Sequence, residues 1–131
     1  LMALIREGRI MDYFNKDLKD SLEGMFSQQI KFQKLSGNGD MPRLDGRLVA
    51  DFSLGLITEL GEVLQEYKGW KPWKNSDNYT YNEEKVAEEL ADMWHHMINI
   101  SLALGYGSKE IQDVFDKKHK ELLGSRFGGL E

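Results

Sequence analysis

Cysteine is absent from the 131-residue chain. Its absence excludes a disulfide framework, a thiolate zinc site and a cysteine nucleophile, and it fits a reducing, cytoplasmic setting. Proline is almost as scarce. Pro42 and Pro72 are the only two, and each falls between segments of helical periodicity. No apolar run approaches the roughly 20 residues needed to cross a bilayer. Residues 1–10 carry Arg6, Glu7 and Arg9, so no apolar signal-peptide core is expected there. Basic charge is not in excess either. Seventeen Lys and Arg against 22 Asp and Glu give a net charge of −5, the reverse of a chain built to hold nucleic acid. Neither nucleic acid nor membrane is therefore expected as a partner. What remains, 40% hydrophobic and 30% charged, is the composition of one globular domain.

No repeat, low-complexity tract or sustained strand alternation interrupts the chain. Four segments show helical spacing. The first spans about 17–35, with Asn15 as cap, Asp17 in the first turn, and Ser36-Gly37-Asn38-Gly39-Asp40 as stop. The second spans 47–68, with Leu48, Val49, Phe52, Leu56, Leu60, Val63 and Tyr67 spaced mostly by threes and fours, and Gly69 and Pro72 beyond its end. The third spans 82–104, where Thr80 and Glu83 read as a capping box and Gly105-Tyr106-Gly107 ends the run. The fourth spans 108–123, from Ser108 as cap to Gly124 as stop. These segments, with connections of roughly 3 to 13 residues, predict an all-α fold with a four-helix-bundle core. Residues 1–14 read as an N-terminal extension to one domain over 15–131. Leu1 precedes Met2 and Met11, so part of that extension is expected to be vector-encoded or to belong to an upstream reading frame.

The third segment carries the chemistry. On a helical wheel, Val86, Leu90, Met93, Trp94, Met97, Ile100 and Leu104 form one broad apolar arc. Glu88, Glu89, Asp92, His95, His96 and Asn99 fall in a complementary arc of roughly 120°, with Ala91, Ile98 and Leu102 beside it. The plain reading is a solvated face with two histidines. Against it, the stripe has no lysine from Glu88 onward and is bordered by apolar residues on both sides, and burying such groups without partners is costly.

The second segment places Glu59 and Glu62 three residues apart on one face, with Asp51 and Glu66 extending it. Facing Glu89 and Asp92 across two antiparallel helices, they would bring four carboxylates into one small volume. Such crowding requires a cation, and all-oxygen ligation suits Mg²⁺. Just beyond lies Tyr67-Lys68-Gly69-Trp70-Lys71-Pro72-Trp73-Lys74. Its tryptophans could stack on a base and its lysines could bind phosphate, although one tryptophan is expected to plug the end of the bundle.

Glu59-x-x-Glu62, the Trp-Lys-x-Trp-Lys run and Glu89-x-x-Asp92-x-x-His95 together resemble the all-α nucleoside triphosphate pyrophosphohydrolases. Within them the combination is nearest to the dimeric dUTPases and the dCTP pyrophosphatases of T-even phages, over residues 28–126. MazG-like enzymes share the carboxylates but generally lack the paired tryptophans and this histidine. The resemblance implies that Glu59, Glu62, Glu89 and Asp92 hold two or more Mg²⁺ ions and that Trp70 and Trp73 lie near the base. It assigns His95 and Asn99 to the nucleoside, Gln29 and Gln33 to the pyrimidine edge, and Lys118 and Arg126 to phosphate. It also implies a homodimer or dimer of dimers. Gln33 stands where typical dUTPases have Asn, His96 replaces a usual Phe, Leu122 occupies an expected Asn position, and Arg126 falls one residue late.

The expected activity is Mg²⁺-dependent hydrolysis of dUTP, dCTP or both to the monophosphate and pyrophosphate. Glu62, aided by Glu59, would serve as proton acceptor, and Lys71, Lys74 and Lys118 would hold the distal phosphates. Three other readings stay open. One is a general MazG-like pyrophosphohydrolase. Another is a non-enzymatic helical module docking through its acidic face. The third is a di-iron protein using Asp92-x-x-His95 and Asp116-x-x-His119, both with Asp in place of the Glu found in such bundles.

Overall fold

The computed structural model describes residues 21–71, 73 and 80–128. The first helix, α1, spans Leu22–Leu35. Ser21 caps it, its Oγ accepting the Gly24 N–H at 2.9 Å, so one of the four donors left open at a helix start is satisfied. The expected cap at Asn15 and the first-turn Asp17 lie outside the described residues. Gly37, at φ +85°, closes the other end. Its N–H donates to Lys34 O at 3.2 Å and that of Asn38 to Gln33 O at 3.0 Å, the paired bonds of a Schellman motif.

Helix α2 spans Gly46–Glu66 and leads into a 3₁₀ turn at Lys68–Trp70. Asp45 caps α2 by accepting the Leu48 N–H at 3.2 Å and pairs with Arg43 at 3.0 Å. The Leu48 N–H, and after it the Arg43 guanidinium, hold the Asp45 carboxyl below its ordinary range against an opposing effect of desolvation. A depressed folded-state pKa stabilises above the unfolded carboxyl pKa, and that stabilisation disappears as pH falls through the folded value. Asp45→Ala is therefore expected to lower Tm at about pH 7 and to cost progressively less as the pH is lowered into the acid range. Thermal melts across that range check this, and equal losses throughout would show that the carboxylate's charge plays no part.

Helix α3 spans Glu83–Ala103 and α4 spans Ser108–Phe127. Three end signals read from the sequence are corrected. The α3 cap is Asn82, whose Oδ1 accepts the Lys85 N–H at 3.0 Å; the helix begins at Glu83, so Thr80 lies too far upstream to serve. Gly107 precedes α4 without a side-chain cap, and Ser108 is the first helical residue. Gly124 does not stop α4, which continues to Phe127 and ends at Gly128. One interior glycine costs a helix only about 1 kcal/mol.

Helices α2 and α3 form an antiparallel hairpin. At one end Glu66 accepts the Asn82 N–H at 3.0 Å and pairs with Lys85 at 3.6 Å; midway along the pair Gly55 lies against His96. Helix α1 packs on α3 and α4. The α1–α2 connection straps the end of α3, with Arg43 N–H donating to Leu102 O at 3.0 Å and Asp45 N–H to Ala103 O at 2.8 Å. Phe26, Met41, Ile98, Leu102 and Ala103 make the core. Among the described residues no strand forms, and no helix is long and apolar enough to cross a membrane.

The sidedness of α3 is unusual. Glu89 and Asn99, from its polar stripe, are buried, whereas Leu90, Trp94 and Met97 are 45%, 58% and 48% exposed. On α2, Leu54, Ile57, Leu60 and Leu64 are exposed as well. The apolar arc is thus only partly used within one chain, while Glu89, His96 and Asn99 of the polar stripe turn inward and Glu88, Asp92 and His95 stay exposed.

Candidate active site

The polar stripe of α3 meets α2 and α1 around a cleft of about 660 Å³, a volume suited to a small ligand. Glu59 comes from α2, Gln29 and Gln33 from α1, and Asp92, His95, His96 and Asn99 from α3. Glu62 and Glu89 line an adjoining depression of about 470 Å³, with Glu66 and Lys85 at its edge. The hairpin register therefore divides the four carboxylates between two neighbouring hollows.

They lie close enough to feel one another. Desolvation, then the charge and hydrogen bond of Glu62, raise the Glu59 carboxyl above its ordinary range, and Asp92 and Glu89 add to the effect. Glu59 Oε2 and Glu89 Oε2 are buried without a hydrogen-bond partner. Lys85, the nearby cation, is paired with Glu66. Among the described residues no three His, Asp or Glu side chains close into a ready metal cage. The donor set nevertheless fits a hard divalent cation. It is all oxygen, it is anionic, and two of its buried oxygens lack any other partner.

The cleft is also lined by imidazole and amide groups. His96 Nδ1 and Asn99 Oδ1 are buried and unpartnered. The His95 ring is 3.6 Å from Asp92, with both side chains about half exposed. Gln33 is only 2% exposed. Several contributors escaped the sequence reading, Gln28, Phe32 and Ser36 among the lining residues. Phe52 forms apolar wall, Asn38 lies beside Gln33, and Gly55 leaves room for His96, since a Cβ there would lie 2.5 Å from the imidazole Cε1. Gly55 did carry a signal, because a glycine inside an amphipathic helix often marks close approach.

Other site residues read from the sequence are not brought to this cleft. The Trp70 indole N–H donates to Leu64 O at 2.9 Å, which ties that ring to the end of α2. Trp73 is 71% exposed and meets Trp70 edge-on at 5.8 Å. Lys71 Nζ lies 5.0 Å from the Trp70 ring centre. Lys74 lies outside the described residues. On α4, Lys118 pairs with Glu121 at 3.6 Å, and Arg126 is exposed in the last turn. The di-iron arrangement is not assembled. Asp116 lines a separate hollow formed by α4 residues alone and accepts from Gln112 at 2.9 Å, while His119 stacks near Phe115.

Comparison with known proteins gives one family match. A family model described as dUTPase matches residues 18–126. Neither curated proteins nor solved structures return a match. With a match over most of its length, and with an all-α hairpin carrying acidic and amide-lined hollows side by side, the chain belongs to the dUTPase family.

Proposed function

We propose that this chain hydrolyses pyrimidine deoxynucleoside triphosphates, dUTP and dCTP, to the monophosphate and pyrophosphate, using Mg²⁺ and acting on a cytoplasmic nucleotide pool. One observation carries the reading. Buried, unpartnered carboxylate oxygens of Glu59 and Glu89 adjoin a cleft that also offers unpartnered His96 and Asn99 atoms. A metal-bound triphosphate and a nucleoside would satisfy the two sets respectively.

Glu59, Glu62, Glu89 and Asp92 would hold two or more Mg²⁺ ions, which when bound supply an acidified water and neutralise charge on the phosphate oxygens. Glu62, on the exposed side of α2, accepts the water's proton. Gln29, Gln33, His95 and Asn99 hold the nucleoside. The lysines after α2, Lys71 and Lys74, attract the distal phosphates, and Lys118 and Arg126, outside the cleft on α4, add only longer-range positive charge.

Trp73, outside the cleft lining but the freer of the two tryptophans, is the one available to stack on a nucleotide that projects from the cleft, and Trp70 serves as the plug. Trp73→Ala is expected to weaken nucleotide binding by ~1–3 kcal/mol, whereas Trp70→Ala is expected to lower Tm with less effect on affinity. Titration of nucleotide with Mg²⁺, followed by calorimetry, separates the two. Equal affinities in wild type and Trp73→Ala would remove that ring from the site.

The substrate range tests the reading as a whole. Gln29 and Gln33 each offer donors and an acceptor, so dUTP and dCTP are expected to be cleaved within roughly tenfold of each other, a gap of ~1.4 kcal/mol. A pyrophosphate-release assay across the common ribo- and deoxyribonucleotides plus dUTP measures this. A preference for dUTP beyond about a hundredfold, ~2.7 kcal/mol, would contradict the relaxed pocket. Efficient dATP or dGTP cleavage would instead indicate a general MazG-like activity.

The outward apolar faces of α2 and α3 support a homodimer or a dimer of dimers. Each large aliphatic side chain buried from water contributes about 1.5–3 kcal/mol, and one chain leaves many of them uncovered.

A further inference from the structure

The loop that ends α1 carries an asparagine to which the mechanism gives no role. Asn38 Nδ2 donates to Gln33 Oε1 at 2.6 Å, and its backbone N–H donates to Gln33 O at 3.0 Å. Both bonds follow from Gly37, whose φ of +85° turns the chain back over the last helical turn. Gln33 is 2% exposed, and both side chains line the same cleft. One end of the buried Gln33 amide is therefore tied to Asn38, and the other is left to a ligand.

We infer that Asn38 is the positioning residue for Gln33: the end of the amide that Asn38 does not hold is the end that meets the base, so the setting of this pair governs whether the pocket suits uracil or cytosine. The inference rests on the proposed reading of the cleft as a pyrimidine nucleotide pocket. An amide end is either a pair of donors or an acceptor. Uracil has a carbonyl acceptor at the ring position where cytosine has an amino donor. With Gln33 Oε1 held by Asn38, Nε2 is the end left for a carbonyl. Asn38 is itself an amide, so it can also turn and accept from Gln33 Nε2, which leaves Oε1 for an amino group. The two amides turn over as a pair, with the bond between them kept in both settings. A lone Gln33 would have no such coupling, and a partner that could only accept would hold one setting.

Asn38→Asp is that partner. It is close to isosteric, and it keeps the backbone bond that places residue 38. A carboxylate only accepts, so it holds Gln33 by Nε2 and leaves Oε1 for the base. Its added charge acts on the triphosphate common to both substrates, and the ratio between substrates cancels that effect. The ratio of kcat/KM for dCTP over dUTP, measured with Mg²⁺, is expected to rise at least about tenfold, ~1.4 kcal/mol. The dCMP-to-dUMP affinity ratio, measured by calorimetry without turnover, is expected to move the same way. Asn38→Ala removes the tie and is expected to weaken both monophosphates severalfold without a shift toward dCMP. A merely structural residue would lower both nucleotides in parallel in either variant. Both monophosphates bound by Asn38→Asp in the wild-type ratio, or unchanged affinities in Asn38→Ala, would overturn the inference and leave the pocket reading standing. A wild-type protein that binds neither monophosphate would overturn both.

Discussion

Replacing Glu62 by Gln is expected to cut dUTP turnover by about 10²–10⁴-fold with little change in yield or helix content. The side chain is exposed on α2, and amide and carboxylate have nearly the same shape, so packing is preserved. What disappears is a proton acceptor and one of four negative charges. Glu62 is also the largest of the neighbouring groups that raise the Glu59 carboxyl. Removing its charge relieves repulsion, and the metal-free variant should therefore be no less stable than the wild type. Loss of turnover without loss of Tm distinguishes a chemical role from a structural one. Steady-state kinetics and a thermal melt on the same preparation measure both. Unchanged turnover would exclude Glu62 as proton acceptor.

A second large effect is expected at the outward face of the hairpin. Trp94→Glu and Ile57→Glu each place a charge in a face where Leu90, Met97 and Leu60 are also exposed. If a second copy covers this face, each charge would be buried without a partner, which interfaces tolerate poorly. Both variants are expected to elute as monomers, or to melt well below the wild type, when the wild type elutes as a dimer or larger. The single-chain core gives the physical reason. Among the described residues its fully buried part is Phe26, Met41, Ile98, Leu102 and Ala103, with further apolar side chains such as Leu48, Val49 and Phe52 only partly buried against it. Light scattering coupled to size exclusion checks the outcome. Wild-type and variant proteins of equal mass and equal Tm would show that nothing packs on this face.

The fold was legible in the sequence because apolar spacing and glycine punctuation both act locally. Gly37 and Gly105 end their helices with positive φ, as a chain-reversing position requires. The capping details were less legible. Thr80, Ser108 and Gly124 each match a local rule, but Asn82 is the cap of α3, Ser108 is already helical, and α4 runs through Gly124 to Phe127. At the site, the polar stripe of α3 could be read because it lacks lysine, and its register against α2 follows from two helices joined antiparallel. Asn38 and Gly55 could not be read in the same way. One acts through a backbone turn and the other through the absence of a side chain, and neither leaves a periodic pattern. The positions of Trp70, Lys118 and Arg126 were equally hidden, because they depend on how the end of α2 folds and on where α4 packs rather than on spacing within a helix.

The most direct test of the central claim is the identity of the products. Incubation of the full chain with dUTP and Mg²⁺, followed by phosphorus NMR, distinguishes cleavage at the α-phosphate from loss of the terminal phosphate. The expected result is dUMP and pyrophosphate in equal amounts, formed with Mg²⁺ and abolished by EDTA. Formation of dUDP and orthophosphate, or equal activity in EDTA, would contradict the assignment of the carboxylate cluster to a metal-dependent pyrophosphohydrolase.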